Sequence, residues 1–458
     1  MKRLDSFKRL IILQLSFIGL IIQTGIYAYF WLTEYHPFLR MHRGLKFYFK
    51  GHILMFLIYF VLLFFFESTY GGLKIGYLKP MDVYVSQFFS LLAVNVISYF
   101  QISLMANWLA AVRPIVSTML IQIIVSAVWV YLCNTFYRKA FPPRDILLIH
   151  GERSIDDIVN KLNSRKDKYR IAGCISISEE GEKIRSEILA GYGAIVLWDI
   201  PINDRNDLLK YCYSKSIRVY MMPKISDVLV KGSDQLHLFD TPILLTREYA
   251  LKMEQRIIKR LIDLVCALIL LVLASPFMLV TAIAIKVYDK GPVLYKQIRC
   301  TRDAREFYIL KFRSMRVDAE KDGVARLASR NDSRITPVGK FIRAVRIDEL
   351  PQLFNILKGD MSFVGPRPER PEIIAQYAEE MPEFTFRMKV KAGLAGYAQV
   401  YGKYNTTPYD KLKLDLTYIE NYSVWLDLKL MLLTIKILFK PESTEGIDDN
   451  QTTAAKKY

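Results

Sequence analysis

The chain has 458 residues, of which 52% are hydrophobic and 24% charged, and it carries a net charge of +18 at pH 7. This mixture excludes an ordinary soluble protein and is too rich in charge for a pure transporter, so we expect a membrane part joined to globular parts. The positive charge favours an anionic membrane surface or phosphorylated substrates over nucleic acid. The five cysteines form no CxxC pair, which predicts ordinary buried thiols.

Four apolar runs occupy the first third of the chain, at residues 10–32, 47–66, 83–105 and 114–136. Each is close to the ~20 residues that a spanning helix needs. Residues 1–140 are therefore predicted to form four transmembrane helices, the first a retained anchor without a cleavage site. Basic residues before the first run and after the fourth place both ends in the cytoplasm, although four basic residues of the first loop oppose this orientation.

Residues 145–248 alternate between strand and helix patterns, which predicts a degenerate Rossmann-like α/β domain with an open parallel sheet. The predicted strands contain DILLIHG, YRIAGCIS, GAIVLWDIP and IRVYMMPK. The first turn reads HGERS where a dinucleotide-binding domain has GxGxxG. We therefore interpret this domain as structural or regulatory, and not as a nucleotide binder.

A fifth apolar segment lies at residues 259–288, and its centre, Leu264–Ile285, runs for 22 residues without a charge. Lysines and arginines crowd both ends, and such residues prefer the cytoplasmic side. This pattern predicts a re-entrant hairpin that enters the membrane and returns, broken at Ser275-Pro276. A kinked helix that spans the membrane is the alternative.

Residues 252–440 form the third predicted domain, and no histidine follows His237. Acid, base and nucleophile candidates in this domain therefore narrow to carboxylates first. Asp348 and Glu349 are adjacent, and Pro351 suits the first turn of a helix. The pair should lie just before a helix N-terminus, where anions are favoured. From composition alone, a solvated salt-bridge surface stays the alternative.

Two further stretches of this domain are basic. Residues 306–320 resemble a strand that ends in Lys311, Arg313 and Arg316, a cluster suited to a pyrophosphate or to a lipid headgroup. The proline-rich loop at 360–372 could let Arg367 grip a phosphate, or could be a rigid connector.

Three segments close the chain. Residues 389–403 are rich in glycine and predicted to be flexible, but they match no phosphate-loop pattern. Residues 427–440 predict a basic amphipathic helix on the membrane, with packing in a core as the alternative. The tail at 441–458 is predicted to be disordered.

Four motifs in the last domain carry a family resemblance: LYKQIR, FYILKFRSM, RITPVGKFIRAVRIDELPQLFNILKGDMSFVGPRPE and KAGLAGYAQV. They resemble the bacterial sugar transferases, the polyprenyl-phosphate glycosyl-1-phosphate transferases, over residues 256–439. The four spans and the Rossmann-like domain look like the large membrane form of that family. The resemblance implies a mainly helical catalytic domain and again a re-entrant hairpin broken at a Ser-Pro pair.

The resemblance also implies the site. It makes Asp348 the nucleophile that forms a covalent phosphosugar intermediate, and it places Mg²⁺ with Asp348 and Glu349. Substrate phosphate and nucleotide would be bound by Lys311, Arg313, Arg343, Pro366, Arg367 and Pro368. One departure is the KAGLAG stretch, where Lys391 and Ala392 replace the Arg and Pro that are usual in the family. A phosphate contact there is in doubt, because Arg and Lys are not interchangeable in bidentate contacts.

The sequence thus predicts an enzyme of the bacterial inner membrane with its active site facing the cytoplasm. It would transfer a sugar-1-phosphate from a nucleotide sugar, usually a UDP-sugar, to undecaprenyl phosphate with release of UMP. This would be the first membrane step of exopolysaccharide, capsule or O-antigen synthesis. Mg²⁺ is the expected cofactor, and a homodimer is left open. The alternative is a membrane-anchored, ligand-sensing scaffold without catalysis, and a transporter ranks third because the first four spans hold almost no central charge.

Overall fold

The computed structural model describes residues 2–246, 250–316, 334–402 and 406–438. The chain divides into two units, Met1–Met222 and Pro223–Tyr458. The predicted disordered tail at 441–458 lies outside the described residues. The predicted domain bounds at 140, 145, 248 and 252 stay predictions, although the second unit already begins at Pro223.

Long apolar helices build the start of the first unit. They are α1 (Lys2–Phe30), which continues through a π-helical turn (Trp31–Tyr35) into α2 (His36–Arg43), then α3 (Phe49–Tyr70), α4 (Pro80–Ala106) and α5 (Val112–Ala140). Of the five helices in the described residues that are long and apolar enough to cross a membrane, four lie in this unit. The first is longer than the sequence pattern indicated, because the helix continues past the apolar run to Arg43.

A buried polar cluster joins these helices. The Gln122 side chain donates to the Tyr59 hydroxyl at 2.8 Å and accepts from Asn95 Nδ2 at 2.8 Å. Gln23 donates to Ser126 Oγ at 3.0 Å. Buried amides and hydroxyls that bond across helices fix which faces meet, since lipid itself provides little hydrophobic drive between spans.

The α/β part of the first unit is a four-stranded parallel sheet in the order β2-β1-β3-β4. Its elements are β1 (Arg144–His150), α6 (Asp156–Asn163), β2 (Tyr169–Ser176), α7 (Gly181–Leu189), β3 (Ala194–Trp198), α8 (Ile202–Ser214) and β4 (Val219–Met221). The open parallel sheet is confirmed at the positions of all four predicted strands. The central strands β1 and β3 are buried, as expected of a sheet covered on both faces.

The first turn of this sheet is poorly suited to a dinucleotide. Gly151 is needed because a side chain there would overlap the Asp199 carbonyl. Asp156 and Asp157 open α6, where their charges would repel a pyrophosphate. The Trp198 ring is covered by Arg153 at 5.3 Å. These features favour the structural or regulatory interpretation of the domain.

The second unit contains one long apolar helix, most of whose apolar side chains are exposed. Its elements are α9 (Ile225–Lys231), β5 (Asp234–Leu238), β6 (Thr241–Leu245), α10 (Met253–Asp289), β7 (Leu294–Cys300), β8 (Glu306–Phe312), α11 (Pro337–Ala344), α12 (Gln352–Lys358), β9 (Ser362–Val364), α13 (Pro371–Glu380), β10 (Gly393–Ala395), α14 (Tyr397–Tyr401), α15 (Pro408–Glu420) and α16 (Val424–Leu438). The pairs β5–β6 and β7–β8 are antiparallel, and β9–β10 is parallel. Leu353, Ile356, Met361, Phe384 and Leu412 lie at the centre of the core.

Helix α10 is the fifth helix long enough to cross a membrane. It is assigned as helix straight through Pro276, so the secondary structure has no break at the Ser-Pro pair. The Ser275 hydroxyl donates to the Val272 carbonyl at 2.8 Å, one turn before the proline, whose ring cannot complete the local hydrogen-bond ladder. The re-entrant path itself stays a prediction.

Two predictions about the end of the chain are corrected by packing. Residues 393–395 form a buried strand and not a flexible loop, because Gly393 and Gly365 bring two backbones into close approach. Helix α16 places Leu430, Leu433 and Lys436 in the interior, while Trp425 and Ile435 are exposed. Its exposed side is therefore apolar, not basic, and packing in a core holds for its other side.

Candidate active site

Asp348 and Glu349 lie on a single 3₁₀ turn, Ile347–Glu349, between α11 and α12. Arg346, just before the turn, adopts the left-handed conformation with φ of 58° and redirects the chain. Pro351 follows as the N-cap of α12. The carboxylate pair thus lies immediately before a helix N-terminus, as predicted.

Three cations converge on Glu349. Its Oε1 atom is 2.8 Å from Arg367 Nη2, 3.4 Å from Lys311 Nζ and 3.6 Å from Arg346 Nη1. The Glu349 side chain is only 12% exposed, so the alternative of a solvated salt-bridge surface is wrong. Burial alone would raise the pKa of Glu349, but Arg367, Lys311 and Arg346 outweigh burial and lower it, so this carboxylate stays charged.

Asp348 has a different environment from its neighbour. Its Oδ1 atom is buried and accepts no hydrogen bond from any described residue. Burial, followed by the charge of Glu349, raises the pKa of Asp348 to about 6, while Lys311, Arg346 and Arg343 oppose the rise. A poorly solvated carboxylate that is still largely ionised at pH 7 is suited to nucleophilic attack.

Asn355 joins the carboxylate turn to the strand that carries Lys311. From α12, its Oδ1 accepts from the Leu310 amide at 2.9 Å, and its Nδ2 donates to the Tyr308 carbonyl at 2.8 Å. Both bonds go to β8, and Lys311, near the C-terminal end of this strand, donates to Glu349. Asn355 was not predicted from the sequence, because its burial and its bonds to β8 are visible only in the structure.

The remaining predicted phosphate ligands divide into two places. Arg343 lies on α11 close enough to lower the pKa of Asp348. The Arg313 side chain is buried against the space lined by Ile285 and Thr336, at the end of α10. Arg313 therefore faces the membrane helix, whereas Lys311 and Arg367 face the carboxylates.

Pro366, Arg367 and Pro368 form the loop that follows β9. The Pro366 carbonyl accepts from the Gly393 amide at 2.9 Å, so a hydrogen bond from β10 holds the loop. Arg367 extends from the loop to Glu349. The prolines thus restrict the backbone on both sides of Arg367, and neither has an N–H to donate.

With this geometry established, comparisons identify the family. A sequence profile described as "Bacterial sugar transferase" matches residues 254–441. A UDP-glucose:undecaprenyl-phosphate glucose-1-phosphate transferase of Caulobacter vibrioides is 40% identical over 190 residues, which cover 40% of this chain and 71% of the relative. An uncharacterized sugar transferase of Bacillus subtilis is 37% identical over 44% of this chain and 96% of the relative. The chain belongs to the bacterial sugar transferase family.

Longer relatives match less completely. A UDP-N-acetylgalactosamine-undecaprenyl-phosphate N-acetylgalactosaminephosphotransferase of Aeromonas hydrophila is 41% identical over 241 residues. The match covers 50% of this chain and 54% of that relative, so the chain spans about half the length of this curated protein.

Within this bacterial sugar transferase, Lys391 lies away from the carboxylates. Burial lowers the pKa of Lys391, followed by the charge of Arg260, with Asp263 opposing. Arg260 donates to the carbonyls of Ile356 and Leu357, at the far end of α12 from Asp348. This chain has Lys391 where the family usually has Arg, and this difference therefore lies outside the site formed by Asp348 and Glu349.

The carboxylate pair has the chemistry of a partial magnesium site. Magnesium prefers oxygen ligands and commonly binds through one or two carboxylates plus substrate phosphates and water. Asp348 provides a buried oxygen without a hydrogen-bond partner among the described residues, and Glu349 lies beside it. The described residues contain no cluster of three or more metal-ligating side chains, so the donor set fits a metal only together with substrate.

Proposed function

We propose that this protein is a phosphoglycosyl transferase that moves a sugar-1-phosphate from a UDP-sugar to undecaprenyl phosphate and releases UMP. The observation that carries the proposal is the buried Asp348 oxygen without a partner, beside a Glu349 bound by three cations, in a chain of this family. Membrane helices in both units support a lipid acceptor.

The first displacement uses the Asp348 carboxylate. Its oxygen attacks the phosphorus that carries the sugar, the bond from this phosphorus to the bridging oxygen breaks, and that oxygen leaves with UMP. The product is a sugar phosphate bonded to Asp348. An ionised carboxylate can make this attack without giving up a proton, which fits a group whose pKa is about 6.

The second displacement regenerates the enzyme. An oxygen of undecaprenyl phosphate attacks the same phosphorus, the bond to Asp348 breaks, and the lipid diphosphate sugar leaves. Splitting the transfer into two steps lets UMP depart before the lipid reacts.

Positive charge makes the meeting of two phosphates favourable. Lys311, Arg346 and Arg367 already surround Glu349, and phosphate oxygens that approach Asp348 enter the same field. Bound Mg²⁺, with Asp348 and Glu349 as its protein ligands, would supply further neutralisation of phosphate charge. EDTA should then stop UMP release and added Mg²⁺ restore it, whereas full activity in EDTA would exclude the metal.

The direct test is UMP release by detergent-purified protein with undecaprenyl phosphate, Mg²⁺ and a panel of UDP-sugars. A panel is needed because relatives of 41% and 40% identity are named for different sugars. Asp348→Asn keeps the size of the side chain but removes the nucleophilic charge, so turnover should fall at least about 1,000-fold. Equal turnover in the variant would contradict the proposal, and silence of folded wild-type protein across the panel would favour the scaffold alternative.

We place the protein in the bacterial inner membrane with the active site on the cytoplasmic side. In the first unit, Arg165 and Lys168 of the α/β part both donate to the Tyr77 carbonyl, in the loop between α3 and α4. The α/β part therefore lies at the same end of the bundle as this loop. Lys74 and Lys79, in the same loop, favour the cytoplasm.

We also propose that α10 is re-entrant. At its first half, Arg260 binds the carbonyl of Ile356. At its second half, Ile285 packs in a cluster that Leu350 also contacts. A straight helix would separate residues 260 and 285 by roughly 37 Å, whereas Leu350 and Ile356 are only six residues apart. Contacts of both halves with the same short segment support a bend.

We also propose that the protein forms a homodimer. The β5–β6 hairpin is exposed on both faces, and its exposed apolar side chains include Leu238, Phe239 and Leu244. Among the described residues it is a sheet of two strands, and open edges of this kind are surfaces for pairing with a second copy. Light scattering of detergent-corrected mass should show two chains, reduced to one by Phe239→Asp, whereas a monomeric wild-type protein would contradict the dimer.

A further inference from the structure

The loop that carries Arg367 cannot support itself by its own backbone. Two of its residues are prolines, which have no N–H to donate, so its carbonyls need donors from elsewhere. The structure provides a separate donor for each of four consecutive carbonyls: Gly393 N to Pro366 O at 2.9 Å, Arg387 Nη2 to Arg367 O at 3.0 Å, Arg299 Nη1 to Pro368 O at 3.2 Å and Cys300 N to Glu369 O at 3.0 Å. Two of the four donors are therefore arginine side chains.

Arg387 is itself fixed by buried carboxylates. Its Nη2 lies 2.8 Å from Asp415 Oδ2, and its Nη1 lies 3.6 Å from Glu369 Oε1. The side chains of Arg387 and Asp415 are 3% and 1% exposed. An ion pair buried to this extent is costly to break, because the remaining charge would be left without a partner.

Glu369 links the two arginines. It lies 3.5 Å from Arg299 Nη1 and also accepts a hydrogen bond from Lys411. Burial would raise the pKa of Glu369, but Lys411, Arg387 and Arg299 lower it, so its negative charge is retained. The loop's two arginine donors therefore share one carboxylate, so the position of one arginine is coupled to that of the other.

We propose that Arg387, fixed by Asp415 and Glu369, is a positioning residue for Arg367 and through it for Glu349. Arg387 binds the main chain of the residue whose side chain reaches Glu349 at 2.8 Å. This inference rests on the proposed function, since it requires Arg367 and Glu349 to belong to the transfer site. In the described part of the chain, Arg387 forms no hydrogen bond or ion pair with Asp348 or Glu349.

Loss of Arg387 should displace the loop that carries Arg367. Its side chain donates to the Arg367 carbonyl, and the Arg367 guanidinium contacts Glu349 at 2.8 Å. A cation that is misplaced by about 1 Å slows the chemical step much more than it weakens binding of the substrate.

The test uses full-length protein in detergent with saturating undecaprenyl phosphate, and it follows UMP release over a range of UDP-sugar concentrations. For Arg387→Met we expect kcat to fall by about 10- to 100-fold with a smaller change in KM. Arg387→Lys, which keeps one donor, should recover part of the lost kcat. Asp415→Asn keeps the side-chain volume and should show the same direction if Arg387→Met does not fold.

The matched control is Arg165→Met. Arg165 also donates to a main-chain carbonyl and pairs with an aspartate, Asp167, but it belongs to the α/β part. It should lower thermal stability and leave kcat unchanged. A folded Arg387→Met protein with unchanged kcat would overturn the inference alone. Full activity of Asp348→Asn would instead overturn the proposed function, and the inference with it.

Discussion

Two neighbouring carboxylates show how position decides chemistry at the scale of single residues. Asp348 and Glu349 are both largely buried on one turn, yet the pKa of Asp348 is raised and that of Glu349 is lowered. The difference arises because Arg367, Lys311 and Arg346 contact Glu349, while Asp348 Oδ1 has no partner among the described residues. We infer that Glu349 organises cations and that Asp348 reacts.

The raised pKa of Asp348 predicts a pH dependence. Below pH 6 this carboxyl is mostly protonated and cannot attack, so UMP release without acceptor should fall as the pH drops through about 6. The low-pH side of this curve of UMP release against pH is its acid limb. Lys311→Met removes a cation that lowers the pKa of Asp348, so the acid limb should move up by roughly one pH unit.

The control for this prediction is Lys358→Met, an exposed lysine at the other end of α12. It should leave the limb unchanged. A limb that stays at the same pH in Lys311→Met would show that Asp348 does not control it, and omission of the acceptor keeps titration of the lipid phosphate out of the profile.

The sequence predicted part of this site. Asp348, Glu349, Lys311 and Arg367 do come together, because a strand end, a turn and a proline loop were each readable locally. The buried supports of the loop, Arg387 among them, were not predicted. They come from segments that are far apart in the sequence, and no local spacing shows which buried charges will meet.

At the scale of elements, the close approach of β9 and β10 supports the site. Gly393 and Gly365 leave no room for a side chain between the two backbones, and a Cβ at 393 would overlap the Gly365 amide. The glycines that suggested flexibility in the sequence instead permit tight packing. Whether these glycines give flexibility or tight packing depends on the strand that pairs with β10, and this strand lies about 30 residues earlier in the chain.

Gly393→Ala should therefore destabilise the second unit by about 1–3 kcal/mol, as overpacking of a tight contact does. Because Gly393 also donates to the Pro366 carbonyl, turnover should fall with stability. Thermal unfolding in detergent, followed by fluorescence, measures the first effect. Gly181→Ala, at a site with open space around the glycine, should not lower the midpoint, and a stable Gly393→Ala protein would refute the packing account.

At the scale of the whole molecule, hydropathy and charge predicted the helices well. The apolar runs of the sequence lie within long apolar helices of the structure, and the fifth apolar segment lies within α10, because length and polarity suffice to identify such elements. The β5–β6 hairpin was not predicted, since it has no sheet or core around it to impose a clear pattern. The path of α10 depends on flanking charge, which the sequence shows and labelling can test.

The re-entrant path predicts that both ends of α10 are on one side of the membrane. Single cysteines at Lys252 and at Lys290, which are both exposed, should react from the cytoplasmic side in a cysteine-free protein in inverted vesicles. Lys259 is a poor labelling site, because it is 8% exposed and bonded to Asp427. A cysteine at Lys46 serves as the control for the opposite side, and labelling of 252 and 290 from opposite sides would mean a spanning helix.

We propose that Asp348 carries the sugar phosphate between the two displacements. The most direct measurement is mass spectrometry of the peptide containing Asp348 after brief incubation with a reactive UDP-sugar and Mg²⁺, without lipid acceptor. If Asp348 is the nucleophile, this peptide should gain the mass of one sugar phosphate, lose it when undecaprenyl phosphate is added and never gain it in Asp348→Asn. Rapid transfer to lipid with no such adduct at any time, or with the adduct on another residue, would contradict it.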